Sequence, residues 1–224
     1  MLETENKADV VPIVYVVDDD PAMRAALDTL LRSVGFHVVA FASTAEFRAA
    51  GWENIESCLL LDVRLRGESG LVFQQQTEGR PLIPIVFMSG FADVQVCRTA
   101  MKGGAVDFLV KPFADQELID AVNLALSFDA KRRTQKNANN QLQQSFALLT
   151  RREREVLSYV ISGALNKQTA SYLGLSVITI KLHRASVMRK MKAASLADLV
   201  RKSAAIGVQM PVHDSRHIDI SSKA

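Results

Sequence analysis

Apolar positions in the first half of the chain follow two alternating patterns. Short β-branched runs, beginning with Val11–Val17 (VPIVYVV), predict buried strands. Between them, apolar residues recur every three to four positions, as helices require. In Pro21–Val34 these are Met23, Ala26, Leu27, Leu30, Leu31 and Val34, and Gly35 follows where a left-handed residue ends a helix. Further runs at Phe36–Phe41, Cys58–Leu61, Ile83–Met88 and Val106–Val110 predict four more strands. Asp115–Phe128 predicts another amphipathic helix through Leu118, Ile119, Val122 and Leu126. Strands alternating with helices imply βαβ units and a parallel sheet.

Five such units make an α/β fold with a doubly wound five-stranded parallel sheet in flavodoxin-like order. A polar stretch, DAKRRTQKNANNQLQQ, then reads as a linker. One heptad-like stripe crosses it: Ala121, Ala125, Phe128, Arg132, Gln135, Asn139, Leu142, Phe146 and Leu149. Its ends are apolar and its middle polar, so one long linker helix and a helix broken at the centre are both open. From Thr150 the pattern is all-α. Thr150 with Glu153 forms a capping box, and Val156, Leu157, Val160 and Ile161 face inward. Asn166 is expected to cap Lys167–Leu173, Ser176 to cap Val177–Met191, and Ser195 to cap Leu196–Ala205. The boundaries expected are a tail over 1–12, an α/β domain over 13–128, a linker over 129–147, a helical domain over 148–207 and a loose tail over 208–224.

Charge divides along the same line. Residues 1–127 carry 10 Lys and Arg against 18 Asp and Glu, a net of −8; residues 128–224 carry 17 against 6, a net of +11. The halves therefore suit different partners, and the basic one suits nucleic acid or an anionic membrane surface. Across 224 residues no apolar run approaches the ~18 residues of a membrane span. The acidic, polar start does not read as a secretory signal. Two cysteines, Cys58 and Cys97, cannot frame a disulfide scaffold, which suits a reducing cytoplasm.

The candidate chemistry lies at predicted strand ends. Asp18, Asp19 and Asp20 follow the first strand, Asp62 ends CLLLD, Ser89 ends PIVFMS, and Lys111 follows VDFLV. In open α/β sheets this edge binds ligands. Carboxylates gathered there repel one another unless a cation intervenes, and Mg²⁺ (or Mn²⁺) suits an all-oxygen donor set. Asp62 then reads as a nucleophile forming an acyl phosphate. Lys111 offsets phosphoryl charge, and the Ser89 hydroxyl is in place to hydrogen-bond a phosphoryl oxygen. Asp19 would bind the metal directly, Asp18 directly or through water, and the backbone carbonyl of Arg64 would complete the protein ligands. Asp20 reads more simply as a helix cap.

The segments VVDDDPAMR, LLLDVRLRGESG, VFMSGFAD and GAVDFLVKPF resemble the CheY-like receiver domain of bacterial response regulators. The resemblance implies that Asp62 takes phosphate from a phosphohistidine on a sensor histidine kinase, with Mg²⁺ on Asp18, Asp19 and Asp62. It implies a cis bond before Pro112, and a switch in which Ser89 turns toward the phosphoryl group while Phe108 rotates inward. The loop after Asp62 departs from the family's Met-Pro-Gly: it reads Leu65-Arg66-Gly67, and Arg66 removes a stiffening proline.

The basic half, LTRREREVLSYVISGALNKQTASYLGLSVITIKLHRASVMRKMKAASLADLV, resembles the LuxR-type helix-turn-helix output domain. With such a receiver, the pair resembles the FixJ-like (NarL/FixJ) regulators. The second helix of such a motif enters the major groove. Its cations are Lys181, Arg184, Arg189 and Lys190, while Val177, Ile180, Val187 and Met191 are expected to pack inward. Lys181 is assigned to base edges, with Leu182 and Ala185 in close apolar contact; Lys167, Thr179, His183 and Arg184 complete the expected DNA-binding set.

Together these readings describe a phosphorelay regulator, not an enzyme beyond slow loss of its own phosphate. It would form a homodimer when phosphorylated, bind double-stranded DNA, meet RNA polymerase and leave membranes alone. Two rivals stand. A phosphatase of related architecture would carry a second acid two residues after the nucleophile, where this chain has Arg64. A DNA-binding protein using its receiver only for docking would not need the intact acidic pocket.

Overall fold

The computed structural model describes residues 11–51, 54–76, 83–91 and 93–211; the C-terminal tail beyond 211 and most of the N-terminal tail lie outside them. The chain divides into two compact units, 1–134 and 135–224.

In the first unit five parallel strands lie in the order β2-β1-β3-β6-β7. They are β1 (Ile13–Val17), β2 (His37–Phe41), β3 (Ser57–Asp62), β6 (Ile85–Ser89) and β7 (Asp107–Val110). A two-residue hairpin, β4 (Arg64–Leu65) and β5 (Glu68–Ser69), follows β3. The helices are α1 (Pro21–Ser33), α2 (Thr44–Ala50), α3 (Gly70–Gln76), α4 (Val94–Lys102) and α5 (Asp115–Ala147). Central strands β1, β3 and β6 are buried on both faces, which is why they read as unbroken apolar runs. Alternate side chains serve opposite cores. Val14, Val16, Cys58, Leu60, Val86 and Met88 meet Leu27 and Leu31 of α1 and Leu118, Val122 and Leu126 of α5. Ile13, Tyr15, Leu59, Leu61 and Phe87 meet Phe47 of α2, Phe73 of α3 and Ala100 of α4.

Helix α5 covers the whole expected linker, with an exposed polar centre. Its buried stripe differs from the one expected. Phe128 is 52% exposed, whereas Asp129 beside it is fully buried, accepting from the Ser57 N–H (3.1 Å) and pairing with Arg132 and Arg133. The inward set is Leu118, Ala121, Val122, Ala125, Leu126 and Asp129, because two guanidinium groups and an amide meet the charge of Asp129.

The second unit contains α6 (Arg151–Ile161), α7 (Asn166–Leu173), α8 (Val177–Lys190) and α9 (Leu196–Ala205). Leu149, Val156, Leu157, Val160, Ile180, Val187, Met191 and Leu199 form its core. The capping box at Thr150 and Glu153 is present, and Ser176 and Ser195 cap as expected. Asn166 does not. It is the first helical residue, its Oδ1 accepts from Arg184 (3.0 Å), and Gln168 instead accepts from the Leu165 N–H (2.8 Å). Gly174 ends α7 in the left-handed conformation (φ 64°), which turns the chain into α8 within three residues. Among the described residues no helix is long and apolar enough to cross a membrane.

Candidate functional site

Strand register gathers the predicted site residues. Val17 of β1 lies opposite Leu61 of β3, Asp62 opposite Met88 of β6, and Ser89 opposite Val110 of β7. Asp18, Asp62, Ser89 and Lys111 therefore emerge at one carboxyl edge. The Lys111 N–H donates to the Ser89 carbonyl (2.7 Å), which closes the last step of that edge. The Lys111–Pro112 bond is cis.

The Lys111 ammonium bridges two carboxylates: Nζ lies 2.6 Å from Asp18 Oδ2 and 2.5 Å from Asp62 Oδ2. Each carboxylate is held at its other oxygen by a backbone N–H two residues on. Asp20 N donates to Asp18 Oδ1 (2.9 Å), and Arg64 N donates to Asp62 Oδ1 (2.7 Å). Both side chains are thus fixed at two points. Asp20 turns away and caps α1 through the Ala22 N–H.

Burial pushes the Asp62 carboxyl above the usual carboxylate range, against the lowering pull of Lys111 and the Arg64 N–H, and the charge of Asp18 adds to the push. Burial acts to lower the Lys111 pKa, but its hydrogen bonds to Asp18 and Asp62 outweigh this and hold the ammonium above its ordinary value. The lysine is therefore a fixed positive charge.

One carboxylate oxygen from each of Asp18, Asp19 and Asp62 lies within 4.8 Å of the others. Three hard oxygen donors at that spacing, with Asp18 and Asp62 buried and Asp19 partly exposed, fit a hard divalent cation. Arg64 sits in β4, its guanidinium 4.9 Å from the centre of the Phe91 ring. Sequence reasoning missed one participant: Arg66, in the departing loop, pairs with Asp19 Oδ2 at 3.1 Å. The missing proline drew attention to this position, but nothing in the spacing pointed to its partner.

Two site residues sit differently from a phosphoryl-binding pose. The Ser89 hydroxyl is occupied with the turn after it, donating to the Phe91 carbonyl (3.1 Å) and accepting from the Phe91 N–H (3.2 Å). Phe108 is half-buried, its ring 6.5 Å from that of Phe87.

In the second unit, Lys167 on α7 and Lys181, Leu182 and Ala185 on α8 are exposed, while Thr179, His183 and Arg184 are half-buried. Arg184 is held by Asn166, and Thr179 by Ser176 (2.8 Å). Lys190 is committed inward to Glu153 (2.7 Å) and the Leu148 carbonyl. Ile180, Val187 and Met191 pack inward as expected; Val177, in the first turn of α8, is exposed.

Known proteins share this arrangement. The family model for the response regulator receiver domain matches residues 14–123, and that for bacterial regulatory proteins of the luxR family matches residues 147–203. Nodulation protein W of Bradyrhizobium diazoefficiens is 49% identical over 197 residues, covering 88% of this chain and 87% of its own. Transcriptional regulatory protein FixJ of Azorhizobium caulinodans is 41% identical over 196 residues, covering 87% of this chain and 93% of its own. The solved structure of response regulator StyR is similar with a TM-score of 0.77 and 42% identity, covering 87% of this chain and 98% of that one. With its receiver and LuxR-type DNA-binding domains matched in order, the chain belongs to the NarL/FixJ family of two-component response regulators, which act as transcription regulators.

Proposed function

We propose that Asp62 is the phosphoacceptor and that its phosphorylation gates dimerisation and DNA binding. The observation that carries this is the Lys111 bridge between Asp18 and Asp62, with Asp19 alongside. An Asp62 oxygen attacks the phosphorus of a kinase phosphohistidine; the P–N bond breaks, the imidazole keeps the electron pair and takes a proton, and an acyl phosphate remains. Lys111 holds its charge against the incoming oxygens. Asp18, Asp19 and Asp62, with the Arg64 carbonyl, would hold Mg²⁺ (or Mn²⁺), which supplies charge neutralisation at the phosphoryl group when bound. Ser89 must leave Phe91 to reach that group, and Phe108 is the aromatic that responds.

The receiver spans 13–128, the linker 129–147 and the DNA-binding domain 148–207. The α8 residues Lys181, Leu182 and Ala185 face base edges. Lys167, Thr179 and His183 serve the phosphate backbone, and Arg184 completes the DNA-binding set. The phosphorylated protein is a cytoplasmic homodimer on paired half-sites, in contact with RNA polymerase.

Incubation with acetyl phosphate and Mg²⁺, read by intact-protein mass, tests this. One phosphoryl group is expected on the wild type and none on Asp62→Asn, with tighter DNA binding only for the former. Equal phosphorylation of both proteins overturns it.

A further inference from the structure

The helix α8 has two faces of opposite character. Ile180, Val187 and Met191 are fully buried. At about 100° per residue, the side diametrically opposite is Ile178, Leu182, Ala185 and Arg189. All four are exposed, Ile178 at 73% and Leu182 at 68%. Single exposed apolar residues are ordinary. Two large ones a turn apart, with nothing of the second unit's core against them, form an apolar ridge on the outward face of a DNA-binding domain's second motif helix.

The surroundings of the ridge say what covers it. Arg189 ends the row and Lys181 flanks it; neither has an ion-pair partner among the described residues. An apolar strip framed by unpaired cations complements a polyanion that also offers apolar groups. Duplex DNA does so in one place: the major-groove edge of thymine carries a 5-methyl group, whereas the other bases present only donors and acceptors there. Branched aliphatic side chains have nothing to offer those polar edges and would leave them unpaired.

We infer that Ile178 and Leu182 read thymine 5-methyl groups, so that each half-site carries thymines at the positions this ridge covers. The inference rests on α8 being the recognition helix and adds Ile178, a residue outside the set expected from sequence. The side chains are about 6 Å apart along the axis, roughly two base-pair steps.

The test uses the full chain with acetyl phosphate and Mg²⁺. A random duplex pool is selected for binding, and each thymine of the enriched half-site is then replaced by deoxyuridine, which deletes only the methyl. One or two replacements are expected to weaken wild-type binding about three- to ten-fold each, the scale of a buried methyl. The same replacements should cost under about two-fold in Ile178→Ala or Leu182→Ala; both substitutions are at exposed sites, and circular dichroism checks that the fold persists. Deoxyuridine that is neutral at every thymine for the wild type, or equally costly in the variants, overturns the inference alone. A pool that enriches no motif overturns the recognition-helix reading with it.

Discussion

The ammonium of Lys111 lies 2.5 Å from Oδ2 of Asp62, a residue 49 positions earlier in the chain, and reaches Asp18 from the same point. The lysine thereby offsets the mutual repulsion of two buried carboxylates. Removing it leaves two charges facing each other with one backbone N–H apiece. Lys111→Met is expected to destabilise the metal-free receiver by about 3–5 kcal/mol, the range for breaking a buried pair. Mg²⁺ should restore part of that loss. Urea unfolding in EDTA and in Mg²⁺ measures both, and unchanged stability in EDTA contradicts the reading.

Arg66 pairs with Oδ2 of Asp19 at 3.1 Å. Its side chain is mostly exposed, so the pair is weak and screened. It nonetheless places a positive charge on a carboxylate that the proposed metal would use. Arg66→Ala should therefore bind Mg²⁺ about two- to five-fold more tightly by titration calorimetry at low salt, with the gap closing as salt rises. A variant with weaker binding would show that the arginine assists the site.

Gly70 packs against the backbone of Asp62, the proposed phosphoacceptor. A Cβ there would lie 2.4 Å from the Asp62 carbonyl oxygen and 3.0 Å from Leu61 Cγ. Its N–H also bonds the Val63 carbonyl, so it cannot easily retreat. Gly70→Ala should cost about 1–3 kcal/mol of receiver stability through overpacking and slow phosphorylation by displacing Asp62. Gly67→Ala, where φ is +83° but the space is open, should cost about 1 kcal/mol from backbone strain alone. Equal phosphorylation rates in the two variants would contradict this account.

Glu153 anchors the helical domain. Burial acts to raise its pKa, but hydrogen bonds from Lys190, Ser186 and Thr150 prevail and hold it at about 2, below an ordinary 4.5. The folded value lies below the unfolded one, so the stabilisation is complete above pH 4.5 and is lost as pH falls toward 2. Its size is on the order of 2–3 kcal/mol. Amide exchange in α6 and α8 should accelerate on acidification through this window in the wild type. In Glu153→Gln it should already be fast at neutral pH and change little below 4.5. A variant with wild-type protection at pH 7 would remove Glu153 from this role.

Much of this architecture is legible along the chain because it rests on local periodicity. The β-branched runs mark the strands, and the residue one step beyond each run is placed at the sheet edge by the strand's own length. That is how Asp18, Asp62, Ser89 and Lys111 can be grouped before any coordinates. The Thr150, Ser176 and Ser195 caps are equally local, since each bonds an N–H three residues on.

What the chain alone could not decide is which partners meet across distance. Periodicity assigns a residue to a face of its own element, but it does not say what lies opposite. Asp129 displaced Phe128 from the buried stripe only because the amide of Ser57, 72 positions away, and two arginines were there to satisfy a carboxylate. Arg66 found Asp19, and Arg184 found Asn166, for the same reason. Val177 was read as core from its apolar character, yet in the first turn of α8 only Ile180 is buried, while Val177 is 38% and Ile178 73% exposed. Element type and edge position follow from backbone geometry that each short segment carries within itself. Pairing, burial of charge and the exposed ridge depend on groups brought together only when the whole domain closes, since their stabilisation comes from desolvation and contacts that no isolated segment possesses.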